Sequence, residues 1–317
     1  MKIIRTIKKT AWPCFLGIAL LVSTQNSYSQ DLPEITLDQA WLEKIQQLAP
    51  EKSRFPFSKK KKVLVFSLHT GFEHWVIPHT EEMIRILGEK SGVFEVMGSK
   101  DIQNFELENL QKFDAVVLNN TCSKPEHRNL FWDQLSLTSS ADSVELMNKA
   151  LSLEKNLIQY VKSGGGLMVL HGGITTQNKS NAFSELVGGS FDYHPPQQEF
   201  TVWVEDPNHP LTKAFPSEGF RHIDEPYFYM NAYEKLNFRP LLYFKNEEIQ
   251  GKRKGTGIHP KTYAAWIRSE GKGKVFYASP SHNSQSFENP ALLQFFLDAI
   301  QYVIGDVSCD DSPLGNQ

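Results

Sequence analysis

The chain has 317 residues, 40% of them hydrophobic and 22% charged, with a formal net charge of −3. That is ordinary globular composition, enough for one large domain or two small ones. A mildly acidic balance argues against a protein built to neutralise nucleic-acid phosphates.

Residues 1–29 predict a cleaved secretory signal. Lys2, Arg5, Lys8 and Lys9 form a basic head, residues 11–22 are almost wholly apolar, and Ser27-Tyr28-Ser29 places small residues at the cleavage site. The apolar run is too short to span a bilayer, which takes about 20 residues. Cleavage removes four positive charges and no negative ones, moving the net charge from −3 to −7. The expected location is periplasmic or secreted, with no membrane span left after processing. Cys14 leaves with the signal, so two thiols, Cys122 and Cys309, remain; export permits a disulfide but does not require one.

Residues 30–58 read as an N-terminal extension. Thr36 and Gln39 fit a capping box, and Leu37, Trp41, Ile45 and Leu48 share one helical face. Lys59-Lys60-Lys61-Lys62 resembles a nucleic-acid patch in isolation, but it leads straight into a strand and reads as solvated approach.

The main domain is expected over residues 59–305. Val63-Leu64-Val65-Phe66-Ser67-Leu68 is a continuous apolar run, as in a parallel strand covered on both faces. A helix follows over residues 78–89, a strand over 94–97 and another over 114–118. A polar loop is expected over 136–143 and a helix over 146–162. Gly164-Gly165-Gly166-Leu167-Met168-Val169-Leu170-His171-Gly172-Gly173 is a buried strand with a histidine at its exit. Alternating strands and helices argue for an open, doubly wound α/β sheet. After residue 190 the pattern alternates: residues 201–204, 228–229, 264–267 and 275–278 predict an antiparallel extension of the same sheet. Asn289, Pro290 and Gly305 bracket a closing helix. Residues 306–317 form a polar tail that need not be ordered.

Ligands of such sheets bind at the carboxyl ends of the strands. Those ends deliver His69 and His74, then Asn119, then His171, and later segments deliver His194, His222, Asp224, Glu225, Tyr227 and His282. Six of the ten histidines fall in these stretches. Imidazole titrates near neutrality and binds metals, so the clustering points to acid–base or metal chemistry. His171 and His282 are the expected proton-transfer pair, with Glu225 orienting one of them or binding a hydroxyl. The plainer reading of His171 is a hydrogen bond across strand ends, and that of Glu225 is a loop salt bridge. In an extended segment His222 and Asp224 face one side and Glu225 the other. His69, His74, Asn119, His194, His222 and Tyr227 are the expected substrate-binding residues. Phe72, Trp75 and Tyr227 could stack on a sugar, although core packing accounts for them more simply. A divalent metal held by three or more of His69, His171, His194, His222, Glu225 and His282 is the variant. No G-x-S-x-G elbow is present, and Cys122, without a motif, is a poor nucleophile.

The ordered series matters more than its parts. The glycine-flanked strand ending in His171, residues 183–191 with His194-Pro195-Pro196, His209-Pro210-Leu211-Thr212, Asp224-Glu225-Pro226-Tyr227, residues 271–277 and Ser281-His282 together resemble the ThuA-like family, named for trehalose utilisation. The resemblance runs from about Val63 to Gly305. It implies a class I glutamine amidotransferase-like fold, a flavodoxin-like three-layer α/β/α sandwich, and a link to carbohydrate catabolism, with a small-molecule carbohydrate as partner. It also implies an association with 3-keto sugars and their glycosides. True amidotransferases of that superfamily carry cysteine where His171 stands, and a carboxylate where Ser284 follows His282, so glutamine hydrolysis is not expected. The chain departs from the family over residues 123–152 and in its N-terminal helix. A sugar-modifying hydrolase, lyase or isomerase is the expectation; a non-catalytic carbohydrate-binding protein on the same fold is the rival. Oligomeric state is not indicated.

Overall fold

The computed structural model describes residues 30–257 and 259–313. The expected signal over residues 1–29 lies outside them.

The elements in chain order are α1 (Gln39–Leu48), β1 (Lys61–Phe66), α2 (Ile77–Ser91), β2 (Phe94–Ser99), α3 (Leu107–Leu110), β3 (Ala115–Asn119), α4 (Leu130–Thr138), α5 (Ser143–Lys162), β4 (Gly166–Leu170), α6 (Asn181–Val187) and β5 (Ser190–Tyr193). There follow β6 (Gln198–Val204), β7 (Phe220–Asp224), β8 (Phe228–Met230), β9 (Arg239–Lys245), β10 (Lys261–Glu270), β11 (Gly273–Ala278) and α7 (Pro290–Val303). Among the described residues, nine strands form one sheet in the order β2-β1-β3-β4-β11-β10-β9-β6-β7. Neighbours from β2 to β11 run parallel, and those from β11 to β7 run antiparallel.

Successive strand residues serve opposite faces. Val63 and Val65 of β1 join a core with α1, α2 and α7, while Leu64 and Phe66 join another with α4, α5 and α6. Both faces are therefore covered, the flavodoxin-like three-layer α/β/α arrangement. The continuous apolar run of β1 is the direct consequence: no position on a doubly covered strand meets water.

Several local expectations are corrected. The cap of α1 is Asp38, not Thr36; its carboxylate accepts from Trp41 N at 2.9 Å. Trp41 and Ile45 are buried, so α1 docks on the domain through Trp41, whose ring lies edge-on to His79 at 4.8 Å. The loop expected over residues 136–143 shrinks to four residues, because α4 runs to Thr138 and α5 begins at Ser143 under the Asp142 cap. The polar Ser136 sits inside α4, its hydroxyl folded back on the Trp132 carbonyl. β8 does not extend the large sheet; it pairs with β5 in a separate two-stranded sheet. The segment after α7 is tied down, with Val307 buried, the Tyr302 hydroxyl donating to Asp311, and Arg239 paired with Asp310. Both thiols are free. The closing helix matches expectation: Asn289 caps it through Ala291 N, with Pro290 first. Among the described residues, no helix is long and apolar enough to cross a membrane.

Candidate active site

β1, β3, β4 and β11 share one direction, so their carboxyl ends open onto one rim. His171 follows the last residue of β4 there with φ 43°, a left-handed conformation that costs a non-glycine residue roughly 1–3 kcal/mol. The chain then winds into a short 3-10 turn, His171–Thr175. Gly172 and Gly173 are required by close approach rather than by unusual torsions. A Cβ on Gly172 would lie 2.5 Å from Cys122 Sγ, and one on Gly173 would lie 2.4 Å from the Leu118 carbonyl. The Gly172 amide is engaged within the fold, donating to Asn120 Oδ1 at 3.3 Å.

His171 is fully buried. Its Nδ1 lies 2.8 Å from the Ser279 carbonyl, which can only accept, so Nδ1 carries the proton. In the neutral ring the Nε2 lone pair then faces the rim. It meets Glu225 Oε2 at 3.2 Å and His282 Nδ1 at 3.1 Å. His282 Nδ1 is itself 3.2 Å from Glu225 Oε2. Three atoms from three distant segments thus form a nearly equilateral triangle. The His74 ring stands edge-on to both imidazoles, at 5.0 Å from His171 and 5.1 Å from His282. One ligand atom each from His74, His171, Glu225 and His282 lies within 4.8 Å of the others.

A second carboxylate organises this group from below. Asp224 is buried; its Oδ1 accepts from Glu225 N at 2.7 Å, and its Oδ2 meets His222 Nε2 at 3.0 Å and His282 N at 3.4 Å. The strand period placed His222 and Asp224 on one face and Glu225 on the other, and the contacts follow that division. His222 faces Asp224 and Ser286 Oγ, not the triangle.

The opposing charges set the protonation preferences. Burial alone would hold His171 down, but the Glu225 hydrogen bond and the charges of Asp224 and Glu225 raise its pKa. Burial lowers His282, assisted by the neighbouring His171 charge, and lowers His74 well below the ordinary imidazole value. For Glu225 and Asp224 burial is outweighed by the facing imidazoles, so both carboxyls titrate below their usual values. Burial pushes the Cys122 thiol up to about 11, so it stays protonated beside Gly172 and His74.

Exposure separates the groups that face solvent from those behind them. The His282 and Glu225 side chains are each 13% exposed, and His194 is 35% exposed with Nε2 3.7 Å from Glu225 Oε1. Phe72 is 64% exposed, its ring edge-on to His74, and so lies outside the core. Tyr227 is buried, with its ring 4.3 Å from His171 and stacked on His194 at 5.5 Å. The structure places Asn119 in the interior, where Nδ2 donates to Ser67 Oγ at 3.0 Å and the Ile77 carbonyl at 2.9 Å. His69 Nε2 faces Glu73 at 3.4 Å. His171, Glu225, His282, His74, His194 and Tyr227 therefore converge, whereas His69, His222 and Asn119 have partners outside the triangle. His74 had only its position at a strand exit to recommend it. Asp224 was visible beside Glu225, but its contact with the later segment at His282 N was not.

Residues 62–303 match the family model ThuA, described as trehalose utilisation. No curated protein matches the chain. Among solved structures, a ThuA-like protein from Bacteroides uniformis is similar with 17% identity and TM-score 0.59, over 79% of this chain and 94% of that one. A ThuA-like protein from Parabacteroides merdae is similar with 19% identity and TM-score 0.52, over 80% and 98%. At such identities the likeness speaks to the fold alone.

Proposed function

The chain belongs to the ThuA family, and from that premise we propose that it is an exported enzyme of carbohydrate catabolism, acting on a sugar or keto-sugar glycoside at the His171–Glu225–His282 cluster. The observation that carries this reading is the convergence of three polar atoms from distant segments at mutual distances of 3.1–3.2 Å, two of them on partly exposed side chains. Export rests on the basic head, apolar run and small residues of the first 29 positions.

A carbonyl makes the adjacent C–H acidic enough for a positioned base to remove. The C–H bond breaks, its electron pair enters the enolate, and the proton moves to an acceptor of the cluster. The enolate then either regains a proton, giving exchange or isomerisation, or expels an alkoxide from the next carbon, which leaves as the alcohol after taking a proton. His282 and Glu225 face the open side and are the groups to touch substrate. His171 is fully buried and acts through them: it holds the triangle in place, itself fixed by the Ser279 carbonyl.

The test is incubation of purified protein with 3-keto glycosides and their unoxidised parents, followed by NMR. Turnover of a keto glycoside is expected, with kcat reduced about 10²–10⁴-fold by His282→Ala or Glu225→Gln. Binding without turnover by the wild type, or full turnover by both variants, overturns the reading.

A further inference from the structure

We propose that His171 Nε2, His282 Nδ1 and Glu225 Oε2 jointly hold one divalent transition-metal cation of the zinc type, with His74 supplying a fourth ligand. This rests on the reading of the cluster as the working centre and names the cofactor it uses.

The first argument is size. The three atoms are 3.1, 3.2 and 3.2 Å apart. A cation about 2.1 Å from each ligand spaces them about 3.0 Å apart in octahedral geometry and about 3.4 Å apart in tetrahedral geometry. The observed triangle lies between those limits. The cation would sit about 1 Å above its plane, at ordinary bond lengths, without any of the three ligands moving far. A fourth nitrogen, from His74, is within 4.8 Å of the others and would have to move closer to complete the set.

The second argument is direction. Ser279 fixes the His171 tautomer, so the lone pair of Nε2 faces the triangle. A metal-binding histidine almost always donates its other N–H to a carbonyl or carboxylate in this way. Without a cation, hydrogens on two of these atoms would have to serve three mutual contacts. One cation satisfies all three at once.

The third argument is charge and chemistry. A buried dication needs compensation, and Glu225 in the triangle with Asp224 immediately behind it supplies two negative charges. An imidazole-rich set with one carboxylate suits zinc, cobalt or iron better than magnesium or calcium, which prefer all-oxygen shells. The open side, bounded by His194 and Phe72, is where adjacent hydroxyl and keto oxygens of a sugar can reach the cluster. If the cation is bound, His282 and Glu225 would act on substrate through it, and His194, at the open side, would remain uncoordinated.

The test is titration of chelator-stripped full-length protein with Zn²⁺ by calorimetry, and with Co²⁺ by visible absorption. One equivalent per chain is expected. Glu225→Gln and His282→Ala should each weaken Zn²⁺ affinity by at least the roughly 10–100-fold that loss of an outer-shell partner costs. His127→Ala, which removes a half-exposed imidazole outside the cluster, should leave binding intact, and circular dichroism of each variant guards against a general folding defect. Absence of stoichiometric binding by the wild type, or binding indifferent to both ligand variants, overturns the inference. Keto-glycoside turnover that survives complete metal removal sinks the metal and leaves the enzyme reading standing. Tight binding without turnover on any sugar does the reverse.

Discussion

Replacing Gly172 with alanine probes the corner that carries His171. The new Cβ would stand 2.5 Å from Cys122 Sγ and 2.8 Å from His74 Cε1. Against an optimal separation of about 3.5–4.0 Å, the sulfur must retreat by about 1 Å or more. Cys122 is buried against Gly172, so it cannot swing into solvent. Overpacking of this kind costs about 1–3 kcal/mol. Cys122→Ala removes the obstruction at a cost of about 1 kcal/mol for the lost packing. The double variant should therefore be more stable than the sum of the singles predicts, by about 0.5–3 kcal/mol. Part of the penalty remains, because the His74 contact persists. Urea denaturation of the wild type, both single variants and the double variant closes the cycle. Additivity, or a Gly172→Ala protein as stable as the wild type, would refute the claim that close approach is why glycine follows the histidine.

Three further outcomes are expected. Asn119→Ala removes two buried hydrogen bonds, to Ser67 Oγ and the Ile77 carbonyl, and should cost about 1–3 kcal/mol in urea denaturation, while the Michaelis constant for any substrate stays unchanged if Asn119 is structural. Arg54 pairs with Asp298, whose carboxyl burial raises to about 6 against the opposing pull of that arginine. Folding then favours the protonated acid, a preference complete below about pH 3.8 and lost as pH rises through about 6; Arg54→Met should destabilise more at pH 8 than at pH 5, and an equal loss at both contradicts the pairing. His209 is buried with Nε2 donating to the Asp310 carbonyl and Nδ1 accepting from Leu211 N. Burial, with Arg239 nearby, lowers its pKa, so its contribution is complete above about pH 6.5 and is lost as pH falls through the lower folded value. Stability should decline in that window, and His209→Gln should flatten the decline.

The strands of the parallel half were readable because double burial writes itself as unbroken apolar runs, as in residues 63–66. The strand period likewise divided His222 and Asp224 from Glu225 correctly. What failed was local. α4 has apolar residues around much of its circumference, so no stripe announced it, and its end at Ser136-Leu137-Thr138 opens the polar run that suggested a loop. β9 escaped because its ends are charged and it is flanked by polar turns. The centre was half readable. His171, Glu225 and His282 could be nominated from strand exits, but their distances could not. The burial that makes Asn119 structural, the Ser279 carbonyl that fixes the His171 ring, and the Asp224 contact with His282 N are tertiary facts with no mark in local sequence.

Solvent exchange tests the reaction centre most directly. Wild-type protein incubated with a 3-keto glycoside in D₂O should lose the hydrogen on the carbon beside the keto group, with deuterium in its place in recovered or isomerised material and neither isotope there in an elimination product, and His282→Ala and Glu225→Gln should abolish that loss. Turnover that retains the original hydrogen at that carbon, or a loss unaffected by either substitution, would contradict the account.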